Sequence, residues 1–365
     1  MAHLFEPLKL RDITLPNRIG IPPMCQYSAT DGLASDWHFT HYGSRAAGGA
    51  GLMIVEATAV TAEGRISPGD LGLWNDAQIE PLARIASFAR SQGCVPAIQL
   101  AHAGRKASTS LGWQEQRALS QSEGGWETVA PSPLAFDQGY RTPRELTLDD
   151  IKEIVARFAD STRRARAAGF QAVEIHAAHG YLLHQFLSPL SNQRSDAYGG
   201  SFDNRGRLVR EVVAAVRQEW PENLPLLIRL SATDWVEGGW NADDTVALCR
   251  QLKALGVDLV DVSTGGLVPD ARIPVAPGFQ TEFATRVRQE AGIPSAAVGL
   301  ITAPLQADHI IRSGQADMVL VGREILRHPH WPLAAAQALG QASSWPLQYL
   351  RAAPAGSLPR SPLGD

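Results

Sequence analysis

A chain of 365 residues with 44% hydrophobic and 19% charged side chains has the composition of a globular enzyme, and a formal net charge of -4 argues against nucleic acid or an anionic membrane surface as its main partner. No apolar run reaches membrane-spanning length: the best, Ala50 to Val60, is short and is interrupted by Glu56. The amino terminus shows no charged region followed by an apolar core, and Cys25, Cys94 and Cys249 lie far apart without metal-ligand spacing, so a reducing cytoplasm is the expected location.

In chain order, residues 3–17 read as a short hairpin lid closed by Pro16-Asn17. A first strand, Arg18 to Cys25, is stopped by Pro22 and Pro23. Helix follows around Trp37 to Gly48, then strand Leu52–Ala57, a helix from Gln78 to Gln92 with apolar residues at helical spacing, and strand Val95–Leu100. Gly104 to Arg144 is too long and too rich in Ser, Gly and Pro for a plain connection. Thr147 then caps a helix running to Ala168, and Val173 opens a fourth strand.

Further pairs follow: helix Asn204–Trp220 with strand Leu226–Leu230, helix Ala242–Leu255 with strand Leu259–Ser263, helix Glu282–Glu290 with strand Ser295–Gly299, and helix Pro304–Ser313 with strand Met318–Gly322. Each strand is nearly continuous in apolar residues, as parallel strands covered on both faces are. Eight such runs alternating with helices predict a (β/α)8 TIM barrel, one domain over 1–365, with the hairpin at 1–18, the irregular insertion at 104–146 after strand three and a tail at 341–365. An open doubly wound sheet is the alternative, but no GxGxxG stands at a strand–helix corner.

The carboxyl ends of barrel strands carry the chemistry. Strand four ends in Val173-Glu174-Ile175-His176-Ala177-Ala178-His179-Gly180-Tyr181. His176 and His179 are three apart, so a helical turn after the strand would put both imidazoles on one face. With Tyr181 on the same corner, they can grip an oxygen and deliver a proton; a purely structural role is the alternative. Gly299, Gly322 and Arg323 follow strands seven and eight, where barrels bind phosphate. Arg229, pointing into the mouth, needs an anionic partner from protein or ligand. Gln99 suits a heterocycle edge or is a hydrogen-bonded core glutamine. Together they describe a site for a phosphorylated aromatic cofactor that is negatively charged when reduced, as FMN is. Cys25, behind Pro22-Pro23-Met24 and near Tyr27, is either a small hydrophobe or a weak S–H donor to such a ring.

Several longer motifs carry a resemblance: Pro23-Met24-Cys25-Gln26-Tyr27, Ile98 to Lys106, the HAAHGYL stretch 176–182, Phe186 to Asn192, Asp196 to Ser201 and Val321-Gly322-Arg323-Glu324. From Leu4 to about Arg351 the chain resembles the Old Yellow Enzyme family of FMN-dependent ene-reductases, in its thermophilic-like bacterial branch. The resemblance implies an NADPH dehydrogenase in which NADPH or NADH reduces FMN, which then reduces the C=C bond of activated alkenes, α,β-unsaturated carbonyl or nitro compounds, in a ping-pong cycle. It further implies that Pro22, Pro23, Met24, Cys25, Ala57, Gln99, Arg229, Gly299, Gly322 and Arg323 bind FMN. His176 and His179 would hold the substrate oxygen, Tyr181 would donate the proton and Tyr27 would contact substrate. It also implies a homodimer or homotetramer in which Arg351 reaches the neighbouring subunit's site, and no bound metal. A metal-dependent barrel hydrolase using His176, His179 and Glu174 or His102, and a non-catalytic phospholigand-binding barrel, are the rival readings.

Overall fold

The computed structural model describes residues 3–363; the two residues at each end, part of the expected hairpin and tail segments, lie outside the described residues. Strands β1 (Leu8–Leu10) and β2 (Ile13–Leu15) form the antiparallel hairpin, and Pro22 and Pro23 cut β3 (Ile19–Ile21) shorter than the expected strand. Helix α1 (Asp36–Ala47), β4 (Leu52–Ala59), α2 (Ile79–Ser91) and β5 (Val95–Ala101) follow. The insertion holds only short turns and two two-residue strands paired in parallel, β6 (Val129–Ala130) and β7 (Arg144–Glu145).

Helix α3 (Leu148–Ala167) starts at Thr147, whose hydroxyl accepts the Asp150 N–H at 3.1 Å, and buries Ile151, Ile154, Phe158 and Ala165 at helical spacing. The chain continues through β8 (Ala172–Ala177), α4 (Leu182–Leu187), α5 (Phe202–Glu219), β9 (Leu226–Ser231), α6 (Ala242–Ala254) and β10 (Leu259–Ser263). Helix α7 (Thr281–Arg286) passes into a π-helical turn, Val287–Ala291, in place of one continuous helix. Then come β11 (Ser295–Val298), α8 (Pro304–Arg312), β12 (Met318–Leu320), α9 (Arg323–Arg327) and α10 (Trp331–Ala338). In the tail, β13 (Ser344–Trp345) pairs in parallel with β14 (Leu358–Pro359), and Arg360 Nη1 donates to the carbonyls of Ala46 and Ala47 at 3.2 and 2.9 Å, tying the tail to the end of α1.

Strands β3, β4, β5, β8, β9, β10, β11 and β12 close into one parallel barrel in that order, as the expected TIM barrel requires. At its amino end Leu52, Val95, Ala172, Leu227, Leu259, Ala296 and Met318 meet in an apolar layer, and Leu10 and Leu15 of the hairpin pack against it. The hairpin is therefore a plug under the barrel, opposite the mouth. Arg11 fixes it there: its Nε lies 2.8 Å from both carboxylate oxygens of Asp258. Among the described residues no helix is long and apolar enough to cross a membrane.

Candidate active site

Alternation along each strand sends every second side chain inward, so the polar residues stack above that apolar layer. Register places Gln99 beside Glu174 and Arg229 beside Asp261. Gln99 Nε2 donates to Glu174 Oε1 at 2.7 Å, leaving its own Oε1 without a protein partner. Arg229 Nε lies 2.9 Å from Asp261 Oδ2, off the line of the N–H bond. All four residues are buried. Burial and the neighbouring Asp261 push the Glu174 carboxyl well up, against Arg229; burial likewise pushes Asp261 up, with Arg229 opposing. The protein's own Asp261 is thus the anion that Arg229 needs, and Gln99 is both a hydrogen-bonded core glutamine and a free acceptor.

Above this layer β8 stops at Ala177, and the expected helical turn is absent. His179 takes φ 58 and Gly180 φ 73, and Tyr181 caps α4 from outside. Glycine is required at 180, because a Cβ there would stand 2.1 Å from the Gly266 carbonyl oxygen. The left-handed corner still gathers the three side chains: the His176 ring centroid lies 5.2 Å from that of His179 and 5.0 Å from that of Tyr181, both edge-on. Several bonds hold the corner. The Ser231 hydroxyl accepts the His179 N–H at 2.9 Å, and Lys106 Nζ donates to the carbonyls of His179 and Gly266 at 2.9 and 3.0 Å. Buried His184 accepts the Gly180 N–H at 2.9 Å through Nδ1, while its Nε2 lies 2.9 Å from Asp234 Oδ1.

Burial, with Arg229 next in effect, holds both imidazoles of the mouth well below their ordinary range, so each is neutral and carries one proton. On His176, Nδ1 faces the Ala178 N–H at 3.4 Å, which leaves Nε2 as the donor. Burial, then Cys25, Tyr27 and Asp70, push the Tyr181 phenol well up, and it has no hydrogen-bond partner among the described residues. It keeps its proton and has it free to give.

The segment after β3 lies across the mouth. A bulge in β4 between Val55 and Thr58 turns Glu56 outward. There Glu56 accepts the Tyr42 hydroxyl at 2.8 Å and the Gln26 N–H at 3.1 Å, with His38 Nε2 at 3.5 Å. Ala57, next along, lines a small void with Asp70 and Tyr181. Cys25 is a thiol in this setting: burial, then Asp70 and Glu56, push it well up. Tyr27 takes φ 49 and meets Trp113 of the insertion edge-on at 5.9 Å. Burial pushes Asp70 up to about 7 although Ser67 Oγ donates to it at 2.6 Å.

A cleft of about 300 Å³ runs from this segment to the ends of β11 and β12, lined by Pro22, Pro23, Met24, Arg229, Gly299, Gly322 and Arg323 among others. Gly299 sits at φ 126, a backbone glycine alone adopts freely, and Arg323 is exposed with no ion pair or hydrogen bond among the described residues. An unpaired guanidinium beside bare glycine backbone at one end, and Arg229 at the other, fit a phosphate joined to a polar ring; Gln99 does not line this cleft. Arg351 is exposed on the turn Leu347–Ala352 and pairs with nothing among the described residues. No three His, Cys, Asp or Glu side chains gather to hold a metal among the described residues. Asp70, His184, Asp234 and Asp261 escaped sequence reasoning, and Glu56 reads as the end of strand two without a role; Asp261 had a signal, standing two residues before Ser263 on an inward-facing strand position.

The model of the NADH:flavin oxidoreductase / NADH oxidase family matches residues 3–341. The chain belongs to that family. It is 48% identical over 354 residues to an NADPH dehydrogenase of Listeria innocua, covering 96% of this chain and 99% of that one, and 49% identical over 350 residues to an NADPH dehydrogenase of Geobacillus thermodenitrificans, covering 95% and 98%. Among solved structures it resembles morphinone reductase in complex with tetrahydroNAD (TM-score 0.76, 29% identity, covering 94% of this chain and 92% of that one). It also resembles the Old Yellow Enzyme homologue of Zymomonas mobilis (TM-score 0.77, 26% identity, 92% and 93%). As a member of the Old Yellow Enzyme family the protein is an FMN-dependent oxidoreductase that draws reducing equivalents from NADPH or NADH.

Proposed function

We propose that this oxidoreductase is an ene-reductase acting on α,β-unsaturated carbonyl and nitro compounds. The observation that carries the reading is the corner at His176, His179 and Tyr181: two neutral imidazoles and a protonated, unpartnered phenol in edge contact. FMN, when bound, supplies hydride chemistry. Pro22, Pro23, Met24, Cys25 and Ala57 would flank its ring, Gln99 would offer the ring an acceptor, Arg229 would meet the charge of the reduced form, and Gly299, Gly322 and Arg323 would hold its phosphate.

His176 and His179 donate to the substrate's carbonyl or nitro oxygen. These bonds strengthen as negative charge develops on that oxygen, so they lower the barrier as well as bind. Tyr181 gives its proton to the α-carbon, and Lys106, whose Nζ lies 5.2 Å from the centroid of the Tyr181 ring, offsets the phenolate left behind. Tyr27 bounds the substrate, and Arg351 of a neighbouring subunit in a homodimer or homotetramer completes the pocket. Nicotinamide and alkene use one mouth in turn, which gives ping-pong kinetics, and the enzyme works in the cytoplasm.

Acid precipitation of the purified protein releases FMN, and anaerobic mixing with NADPH and 2-cyclohexenone consumes both in equal amounts. Protein that keeps FMN and oxidises NADPH with oxygen, yet reduces no enone or nitroalkene, would overturn the reading.

A further inference from the structure

A neutral imidazole has one N–H, so His179 helps a developing oxyanion only if the nitrogen facing the mouth carries the proton. Its Nε2 is engaged behind the site, 2.7 Å from Ser263 Oγ at the end of β10. His179 Nδ1 has no partner among the described residues, and it is not sealed in the interior. The question is which atom of the short His179–Ser263 contact owns the hydrogen.

Gln280 settles the geometry behind Ser263. Its Nε2 donates to the Val298 carbonyl at 2.9 Å, which fixes the amide with Oε1 toward Thr264 and Ser263. The Thr264 hydroxyl already donates to that oxygen at 2.7 Å, whereas Ser263 Oγ is 3.4 Å away, at the limit of a useful bond. Serine has one proton, and its short contact is to the imidazole. The backbone that carries the ring is held as well: the His179 N–H is bonded to Ser231 Oγ and its carbonyl to Lys106.

We propose that Ser263 is a positioning residue that donates its hydroxyl proton to His179 Nε2 and so keeps Nδ1–H turned to the mouth as the second donor for a substrate oxyanion. No bond is made or broken; Ser263 selects a tautomer. Removing the hydroxyl leaves His179 free to carry its proton on either nitrogen, so part of the population presents a lone pair to the oxyanion. Ser263→Thr keeps the donor. The assignment rests on the ene-reductase reading for its purpose, but it can be tested without turnover.

The decisive measurement is long-range proton–nitrogen NMR on FMN-loaded protein labelled with nitrogen-15 histidine, with the His179 signals identified by their loss in His179→Asn. The expected result is the Nδ1–H tautomer in the native protein and a mixture in Ser263→Ala. A native Nε2–H tautomer, or a tautomer unchanged by Ser263→Ala, overturns the proposal. In parallel, 4-hydroxybenzaldehyde binding is read from its charge-transfer absorbance with oxidised FMN. Ser263→Ala should raise its Kd by the inverse of the fraction of rings that keep Nδ1–H, about twofold for an even mixture, and Ser263→Thr should restore most of that. Equal Kd values for native and Ser263→Ala protein also refute it. Failure to reduce any alkene, with the tautomer as expected, would sink the ene-reductase reading instead.

Discussion

Tyr181→Phe separates the two halves of the proposed cycle. The substitution removes one oxygen and leaves the ring, so the edge contact with His176 at 5.0 Å and the Lys106 ammonium over its face are kept. The phenol hydroxyl has no hydrogen-bond partner among the described residues, so its removal strands no buried group, and the thermal midpoint should move by less than about 2 °C. Nothing in flavin reduction by nicotinamide calls on a phenol proton, so that half-reaction should stay within about twofold. Alkene reduction loses its positioned acid, an effect of roughly 10²–10⁴ in rate, toward the lower end if water reaches the α-carbon in its place. Binding of 4-hydroxybenzaldehyde, held by the histidines, should hardly change. Anaerobic stopped-flow absorbance follows FMN bleaching by NADPH and its recovery with 2-cyclohexenone as separate traces. Equal slowing of both traces, or an alkene step as fast as native, would refute the role given to Tyr181.

Arg229→Met leaves Asp261 buried without its cation and should cost roughly 3–5 kcal/mol in apoprotein urea unfolding, whereas Arg229→Met with Asp261→Leu should recover most of it while FMN affinity stays lost. Equal destabilisation by the single and double variants would show that the pair is not coupled. Cys25→Ala should keep FMN bound and shift its reduction potential, since Cys25 is a neutral thiol in the segment proposed to flank FMN; an unaltered potential in spectroelectrochemical titration makes it a filler. Lys106 is held down to about 8, first by burial and then by Arg105. Its folded pKa lies below its unfolded one, so the folded chain gives up this proton first and stability from this group rises as pH climbs from about 8 toward the ordinary lysine range. The gap in thermal midpoint between native protein and Lys106→Met should therefore shift in favour of the native chain between pH 7 and 9.5, and a constant gap would contradict the shift.

The barrel was legible because each strand is a short apolar run and each helix has its own period and cap; Thr147 at the start of α3 is a clear instance. The boundaries that sequence placed less well have local causes. Pro22 and Pro23 remove two N–H donors and end β3 early, and the π-helical turn at Val287–Ala291 replaces the last turn of the expected helix. The site was legible as residue types at strand ends, but not its geometry. Helical spacing proposed the meeting of His176 and His179, and a left-handed corner produces it. That corner needs Gly180 against the Gly266 carbonyl, a tertiary contact between the loops after β8 and β10 that no local pattern reports. The bulge that turns Glu56 away and brings Ala57 to the mouth is equally invisible, since Leu52 to Ala57 reads as a plain strand, and the structure carries it on to Ala59.

The polar layer inside the barrel explains why function and stability are hard to separate here. Two carboxyl groups, Glu174 and Asp261, share one guanidinium, Arg229, in a buried layer. Burial pushes both carboxyls up, and each is opposed by the same cation. A layer of this kind is no asset to a fold, because apolar side chains of similar volume usually stabilise as well or better. Its retention is intelligible if the cation is needed at the mouth, where the reduced cofactor carries negative charge, and if the carboxyls hold it in place between turnovers. On that account Asp261 sets the position of Arg229 and Glu174 sets the orientation of Gln99, through the 2.7 Å bond that leaves the glutamine oxygen free. The two groups proposed to face the cofactor are thus oriented from below by two that are not, and the strand register that pairs Gln99 with Glu174 and Arg229 with Asp261 is what makes that support possible.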